Sequence, residues 1–213
     1  MTLTKRSSKG SALSYDEMDG NFTHLGGDGS FHNAGVRVGP PGTILEMLAG
    51  HADGRTLVGH SGSYTLQNVT THQDLTSTHT SIGLDIDYIP PTGTKTVLYE
   101  AQFQFRGMDA DPLLHFQAIW DGNILEPSKS TFRVNAANDI QNLYHLSVAI
   151  ELNSSNVSVT NARIGAWTTA KTLSWTAREY SGSFEGSLHT TNNWDGTGTD
   201  IFICPMLKVT AIA

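Results

Sequence analysis

The 213-residue sequence predicts an all-β fold, a β-sandwich or jelly roll, preceded by a short N-terminal helix and a Gly/Pro-rich linker. Three observations predict it. Apolar and polar residues alternate through 97–106, 143–152, 171–180 and the later part of 201–213, the period of a half-buried strand. Turn-forming clusters separate these runs, and 21 glycines with only 15% charged residues suit many short strands joined by turns. After Leu25 helix signals almost vanish, and no segment supports a βαβ unit.

The helix comes first. Ser14 is placed to act as N-cap with Glu17 reaching back from the third helical position, and Leu13 before the cap can pack on Met18. Met18, Phe22 and Leu25 then fall at i, i+4 and i+7, a narrow apolar stripe. Ordering so short a segment costs more backbone entropy than the burial of four apolar side chains returns, and isolated helices of this length are marginal. The segment is therefore expected to be ordered only when docked on a partner. Gly26-Gly27-Asp28-Gly29 ends it, and 26–41 reads as an extended linker closed by Pro40-Pro41-Gly42. Residues 43–49 suit a strand or one helical turn. From 50 to 83 the texture is polar, with short apolar touches at Leu57, Val58, Tyr64, Leu66 and Val69, as in small strands or a loosely wound arm. Pro90-Pro91-Thr92-Gly93 marks a second boundary. The expected organisation is an anchor at 1–25, a linker or arm with short strands at 26–89, and a β-domain at 90–213.

Within the β-domain, Val97, Tyr99, Ala101, Phe103 and Phe105 share one face. A strand at 113–120 meets Asp121-Gly122, a two-residue hairpin signal, and returns through 123–125. Tyr144, Leu146, Val148, Ile150 and Leu152 form the next apolar face. Asn153-Ser154-Ser155-Asn156 turns the chain into an expected strand at 157–164. A strand at 171–180 is turned by Ser181-Gly182-Ser183 into 184–191, and 201–213 reads as the last strand, with Ile203, Leu207, Val209 and Ala211 on one face. The apolar run 209–213 is expected to be buried, near an oligomer axis or in the middle of a sheet. Phe103, Phe105, Leu207, Val209 and Ala211 are the candidates for packing in the core or between subunits.

Composition narrows function. Thirteen cationic against 20 acidic residues, a net charge of −7, argue against a nucleic-acid partner despite the small cluster Lys5, Arg6 and Lys9. No run has the length of a membrane helix, so no membrane insertion is expected, and the N-terminus lacks a signal-peptide centre. Cys204 is the single cysteine, which leaves no intrachain disulfide, and its run reads as a strand with an inert core thiol.

Candidate chemistry is sparse. His51, His60, His72 and His79 lie close in sequence, but their spacing matches no standard metal motif. Polar turn positions explain them, although a threefold axis could gather copies of one histidine around an ion. Asp85, Asp87, Asp109 and Asp111 read as turn and edge-strand residues rather than calcium ligands. Glu100, Glu151, Glu179 and Glu185 offer no reason to choose a hydrolytic pair. GxSxG and phosphate-loop patterns are missing. No catalytic residue, metal or cofactor is expected, and the chain reads as a non-enzyme. Trp120-Asp121-Gly122 and Trp194-Asp195-Gly196 repeat one tripeptide. Each could present a ring to a sugar while Asp121 or Asp195 accepts hydroxyl hydrogen bonds. Equally, each tryptophan could pack at the sandwich rim beside a tight turn.

The stretch Lys9-Gly10-Ser11-Ala12-Leu13-Ser14-Tyr15-Asp16-Glu17-Met18-Asp19-Gly20-Asn21-Phe22-Thr23-His24-Leu25 resembles a segment, approximately KGxxLTYxEMDxNFxxL, that opens many tailed-bacteriophage structural proteins. Further resemblance covers Pro41-Gly42-Thr43-Ile44-Leu45-Glu46-Met47, Tyr88-Ile89-Pro90-Pro91-Thr92-Gly93-Thr94, Ala177-Arg178-Glu179-Tyr180, Leu188-His189, Trp194-Asp195-Gly196-Thr197 and Val209-Thr210-Ala211-Ile212-Ala213. These look like fibre-like or structural virion proteins of aquatic phages, cyanophages above all. The chain departs from the pattern at Gly20, which lowers helix propensity by about 1 kcal/mol and makes the helix depend more on its dock. The resemblance implies a homotrimer on the phage particle surface, made in the bacterial host cytoplasm. It implies a C-terminal jelly roll of the tumour-necrosis-factor kind. Leu13, Ser14, Glu17, Met18, Phe22 and Leu25 would then fix the chain to a tail, neck or major capsid protein. A tail or neck fibre would turn the β-domain toward host surface glycans. The alternatives are a capsid decoration protein and a free carbohydrate-binding module using the two tryptophans.

Overall fold

The computed structural model describes residues 40–107, 112–133, 140–193 and 199–213. The expected anchor, with Leu13, Ser14, Glu17, Met18, Phe22 and Leu25, lies outside them, as do Trp194, Asp195, Asp109 and Asp111. In chain order the strands are β1 (Ile44–His51), β2 (Thr56–Val58), β3 (Ser63–Thr65), β4 (Gln73–Asp74), β5 (Thr80–Ser81) and β6 (Ile86–Tyr88). The longer ones follow: β7 (Thr96–Gly107), β8 (Leu113–Trp120), β9 (Asn123–Arg133), β10 (Ile140–Glu151) and β11 (Lys171–Glu179). β12 (Gly186–Leu188), β13 (Thr190–Asn193), β14 (Thr199–Phe202) and β15 (Met206–Ile212) complete the series. The described residues contain one 3-10 turn, Val159–Asn161, and no α-helix.

Two antiparallel sheets make a β-sandwich. In the first, β7 pairs along its whole length with β10 on one edge. Its other edge pairs with β15 over 96–102 and with β12 over 105–107, and β1 and β4 extend these two neighbours outward. In the second, β11 lies between β8 and the two short strands β5 and β6, and β9 pairs with β8. The chain changes sheet from β4 to β5, from β6 to β7, from β7 to β8, from β9 to β10, from β10 to β11 and from β11 to β12.

Alternation fixes which side faces the other sheet, because successive side chains point to opposite faces. Val97, Tyr99, Ala101, Phe103 and Phe105 of β7 are at most 1% exposed, and so are Leu207, Val209 and Ala211 of β15. All of these belong to the chain's own core. The candidate packing residues Phe103, Phe105, Leu207, Val209 and Ala211 are thus core residues, and their side chains are not available to a second subunit. Across the interlayer Tyr99 stacks on Trp175 at 5.7 Å and donates its hydroxyl to the Leu84 carbonyl at 2.6 Å. Phe116 stacks on Tyr144 at 4.9 Å. The last strand lies between β1 and β7, in the middle of its sheet.

Several expectations are corrected. Residues 43–49 offered a strand or a helical turn, and the strand is what 44–49 adopt, as part of β1. The stretch 44–88 does carry short strands, but Leu45, Leu48, Ile82, Leu84, Ile86 and Tyr88 enter the core, so it belongs to both sheets rather than to an arm outside them. Residues 157–164 are not a strand: Asn153 and Ala162 adopt positive φ (both 56°), and the chain coils through the 3-10 turn between them. The runs 184–191 and 201–213 each break in two. His189, at φ 63°, separates β12 from β13, while Cys204 and Pro205 separate β14 from β15. Cys204 is consequently half-buried outside any strand, and Ile203 is 36% exposed instead of joining the inner face. Asp121 and Gly122, with φ 48° and 80°, form the expected hairpin turn of mirror-image type.

Two buried polar groups stiffen the sandwich. Glu46 is 4% exposed, yet it accepts from the Tyr88 hydroxyl (2.8 Å), the Ser61 hydroxyl (2.6 Å) and the Ser61 amide (2.8 Å), tying 59–62 to β1. Gly59 is required there, because a Cβ would stand 2.3 Å from a Glu46 carboxylate oxygen. The His189 ring is fully buried, with Nε2 at 3.0 Å from the Ile82 carbonyl, and burial lowers its pKa to about 4.

Candidate functional site

The outer face of the first sheet follows from its register. One row reads Met47, Thr210, Leu98, Ala149 across β1, β15, β7 and β10. The next reads Ala49, Lys208, Glu100, Ser147, and the third His51, Met206, Gln102, His145. Ile44 and Met47 remain 55% and 58% exposed, and Leu143 at the other end of the face 51%. Alternation puts apolar side chains outward here, where solvent would favour polar ones.

In the middle row sits Glu100, whose side chain is 11% exposed. Lys208 Nζ lies 2.7 Å from one carboxylate oxygen and His145 Nε2 3.1 Å from the other. These three, with Gln102 and Met206, line a shallow cavity of about 230 Å³. The neighbouring cation and imidazole answer the carboxylate's charge, so the arrangement anchors side chains and exposes no free acid. Sequence reading identified Glu100 and the outward side of β15. It missed their union, because cross-strand register is not written in alternation alone.

The rim presents Trp120 and Asp121. Trp167 packs edge-on against the Trp120 ring at 5.6 Å, and Lys171 Nζ sits 5.9 Å from the ring centre. Asp121, at the hairpin tip, accepts from the same Lys171 at 2.7 Å. Ring and carboxylate thus already share an intrachain partner, and a sugar would have to displace Lys171 to use both.

The other candidates disperse. Among the described residues no group of three His, Cys, Asp or Glu side chains is arranged to hold a metal. His51 Nδ1 lies 3.3 Å from the Cys204 carbonyl. Asp85 accepts from Ser81 (2.8 Å), Ser174 (2.5 Å) and Gln67 (3.2 Å), and Asp87 accepts from Thr172 (2.5 Å). Both line an open polar groove of about 540 Å³ with Thr65 and Tyr64. Of the remaining glutamates, buried Glu179 and exposed Glu185 line a separate cavity of about 190 Å³, and Glu151 is exposed at the end of β10.

No helix among the described residues is long and apolar enough to cross a membrane. No protein-family model matches the chain, and comparison with curated proteins gives no match.

Proposed function

We propose that the chain is a non-enzymatic structural protein of a tailed-bacteriophage virion, a homotrimeric tail or neck appendage. It is anchored through residues 1–25 and turns a jelly-roll domain outward for attachment to the host surface. The observation that carries the association half of this reading is the outer face of the first sheet. Met47, Leu98, Ala49 and Ala149 cover adjoining positions there around the Glu100–Lys208 pair. Exposed apolar side chains interleaved with polar groups that pair with one another suit a surface covered by further copies. Strand order supports the jelly-roll part: β1-β15-β7-β10 face β6-β11-β8-β9, with repeated crossings between the layers. The virion half rests on the 9–25 segment and its need of a dock.

Native mass measurement tests the first half. Three copies are expected for the wild type and a monomer for Met47→Glu combined with Leu98→Glu; a wild-type monomer would remove the trimer. For the second half, Phe22→Asp should fold and trimerise yet fail to enter particles. Normal incorporation of that variant would sink the anchor. Copy number in a reconstructed particle then separates an appendage, with a few trimers, from a decoration protein with hundreds of chains.

A further inference from the structure

The outer face of the second sheet carries a row of side chains that sheet formation alone does not explain. Register sets Arg178 of β11 opposite His115 of β8, and His115 opposite Thr131 of β9. The β5 pairing, Thr176 with Ser81 and Ala177 with Thr80, brings His79 alongside Arg178 one position further on. Three nitrogen-bearing side chains therefore stand in adjacent positions of one cross-strand row. Lys129 joins them from β9, where the pairing with β8 is interrupted between Phe116 and Ala118. Two of the four, Arg178 and Lys129, are fixed cations on the same face.

Among the described residues no carboxylate lies in the row itself. The row lines a groove of about 320 Å³ whose wall contains no described carboxylate. Lys129 is tied outside it to Glu126 at 2.8 Å, while the Arg178 guanidinium contacts a backbone carbonyl, that of Glu179, at 3.3 Å. His115 Nδ1 is 3.1 Å from the Thr131 hydroxyl, but its Nε2 is buried and has no hydrogen-bond partner. His79 Nδ1 lies 3.3 Å from the Thr176 hydroxyl. Burial first, and the Arg178 charge second, push both imidazoles below the usual histidine range. Near neutral pH they are uncharged hydrogen-bonding groups beside a fixed guanidinium.

We propose that this groove binds an acidic sugar unit. Arg178 takes the anionic group, the His115 and His79 imidazoles complete its hydrogen bonds, and Gln117 and Thr131 meet ring hydroxyls. A guanidinium offers the two-pronged geometry an oxyanion requires. The volume exceeds that of a lone inorganic ion and suits one pyranose ring with its substituent. This site is separate from the Trp120 rim and from the first-sheet face, and it stands or falls independently of virion attachment.

The test is titration of the full-length protein with galacturonate, galactose and acetate, read through the imidazole NMR signals and by calorimetry. His79→Gln and His115→Gln assign two of the nine histidine signals. Galacturonate should move these two signals and bind at least tenfold more tightly than either galactose or acetate. Arg178→Gln should weaken it tenfold or more with no loss of thermal stability, Arg178→Lys should fall between, and Lys95→Gln, a distant charge removal, should bind like the wild type. Equal binding of acetate and galacturonate would reduce the groove to a simple anion site and overturn the sugar. Unmoved His79 and His115 signals, or undiminished binding by Arg178→Gln, would overturn the site itself.

Discussion

The two sheets turn the same kind of inner face toward each other and different outer faces away. Outside the first sheet, Met47, Leu98, Ala49 and Ala149 surround a carboxylate already neutralised by Lys208. Outside the second, Arg178 stands beside His115 and His79 with no described carboxylate in the groove wall. Inward residues answer one shared demand, exclusion of water. Outward residues answer to whatever each face meets, and a face with exposed apolar side chains and a row built on a fixed guanidinium require different company. One face has its charges settled and its surface unsettled; the other has the reverse.

Substitutions can break or sharpen that contrast. The largest effect belongs to the shared layer: Phe103→Ala should cost about 3–5 kcal/mol in denaturant unfolding, since Phe103 is 1% exposed and touches Phe116 and Tyr144. A loss below 1 kcal/mol would mean that the inner faces do not carry the stability. Next comes acid. His189 is neutral in the folded protein until about pH 4, whereas an unfolded imidazole takes its proton near pH 6.5. The unfolded state binds more protons in that window, so stability falls as pH drops through it, by about 3 kcal/mol at pH 4. His189→Asn, which tolerates the left-handed backbone, should flatten that slope; an unchanged slope would assign the acid loss to other groups.

The outer faces should separate in the next pair. Lys208→Met strands a nearly buried carboxylate and should cost about 1–3 kcal/mol. Arg178→Gln removes a charge with no acidic partner among the described residues of its groove and should alter stability by less than about 0.5 kcal/mol in either direction. Equal losses from the two would erase the distinction drawn between settled and unsettled charge.

The inner faces were legible in the sequence because β7, β10 and β11 are long enough for alternation to repeat four or more times. The region 44–88 was not. Apart from β1 its strands are two or three residues long, too short to show a period, and Ile82 and Leu84 reach the core from segments between strands. His189 and Ala162 hid breaks in apolar runs, since nothing in a histidine or an alanine announces a positive φ. The outer rows were illegible for another reason. Arg178 could be assigned to the outward side by parity, but its neighbours His115 and His79 are fixed by register across three separate segments. Trp120 stood out as a repeated tripeptide, and the contacts that occupy it, Trp167 and Lys171, come from a distant part of the chain.

The position of β15 bears on how the molecule is made. It fills the gap between β1 and β7, with Ile44 set opposite Ile212. While a ribosome is still extending the chain, β1 has no paired strand and the 96–102 stretch of one β7 edge stays open until β15 has been made. Those bare edges invite strands from adjacent nascent chains. Crowded translation of this message should therefore favour tangled product, and slower initiation at lower temperature should improve the yield of native protein.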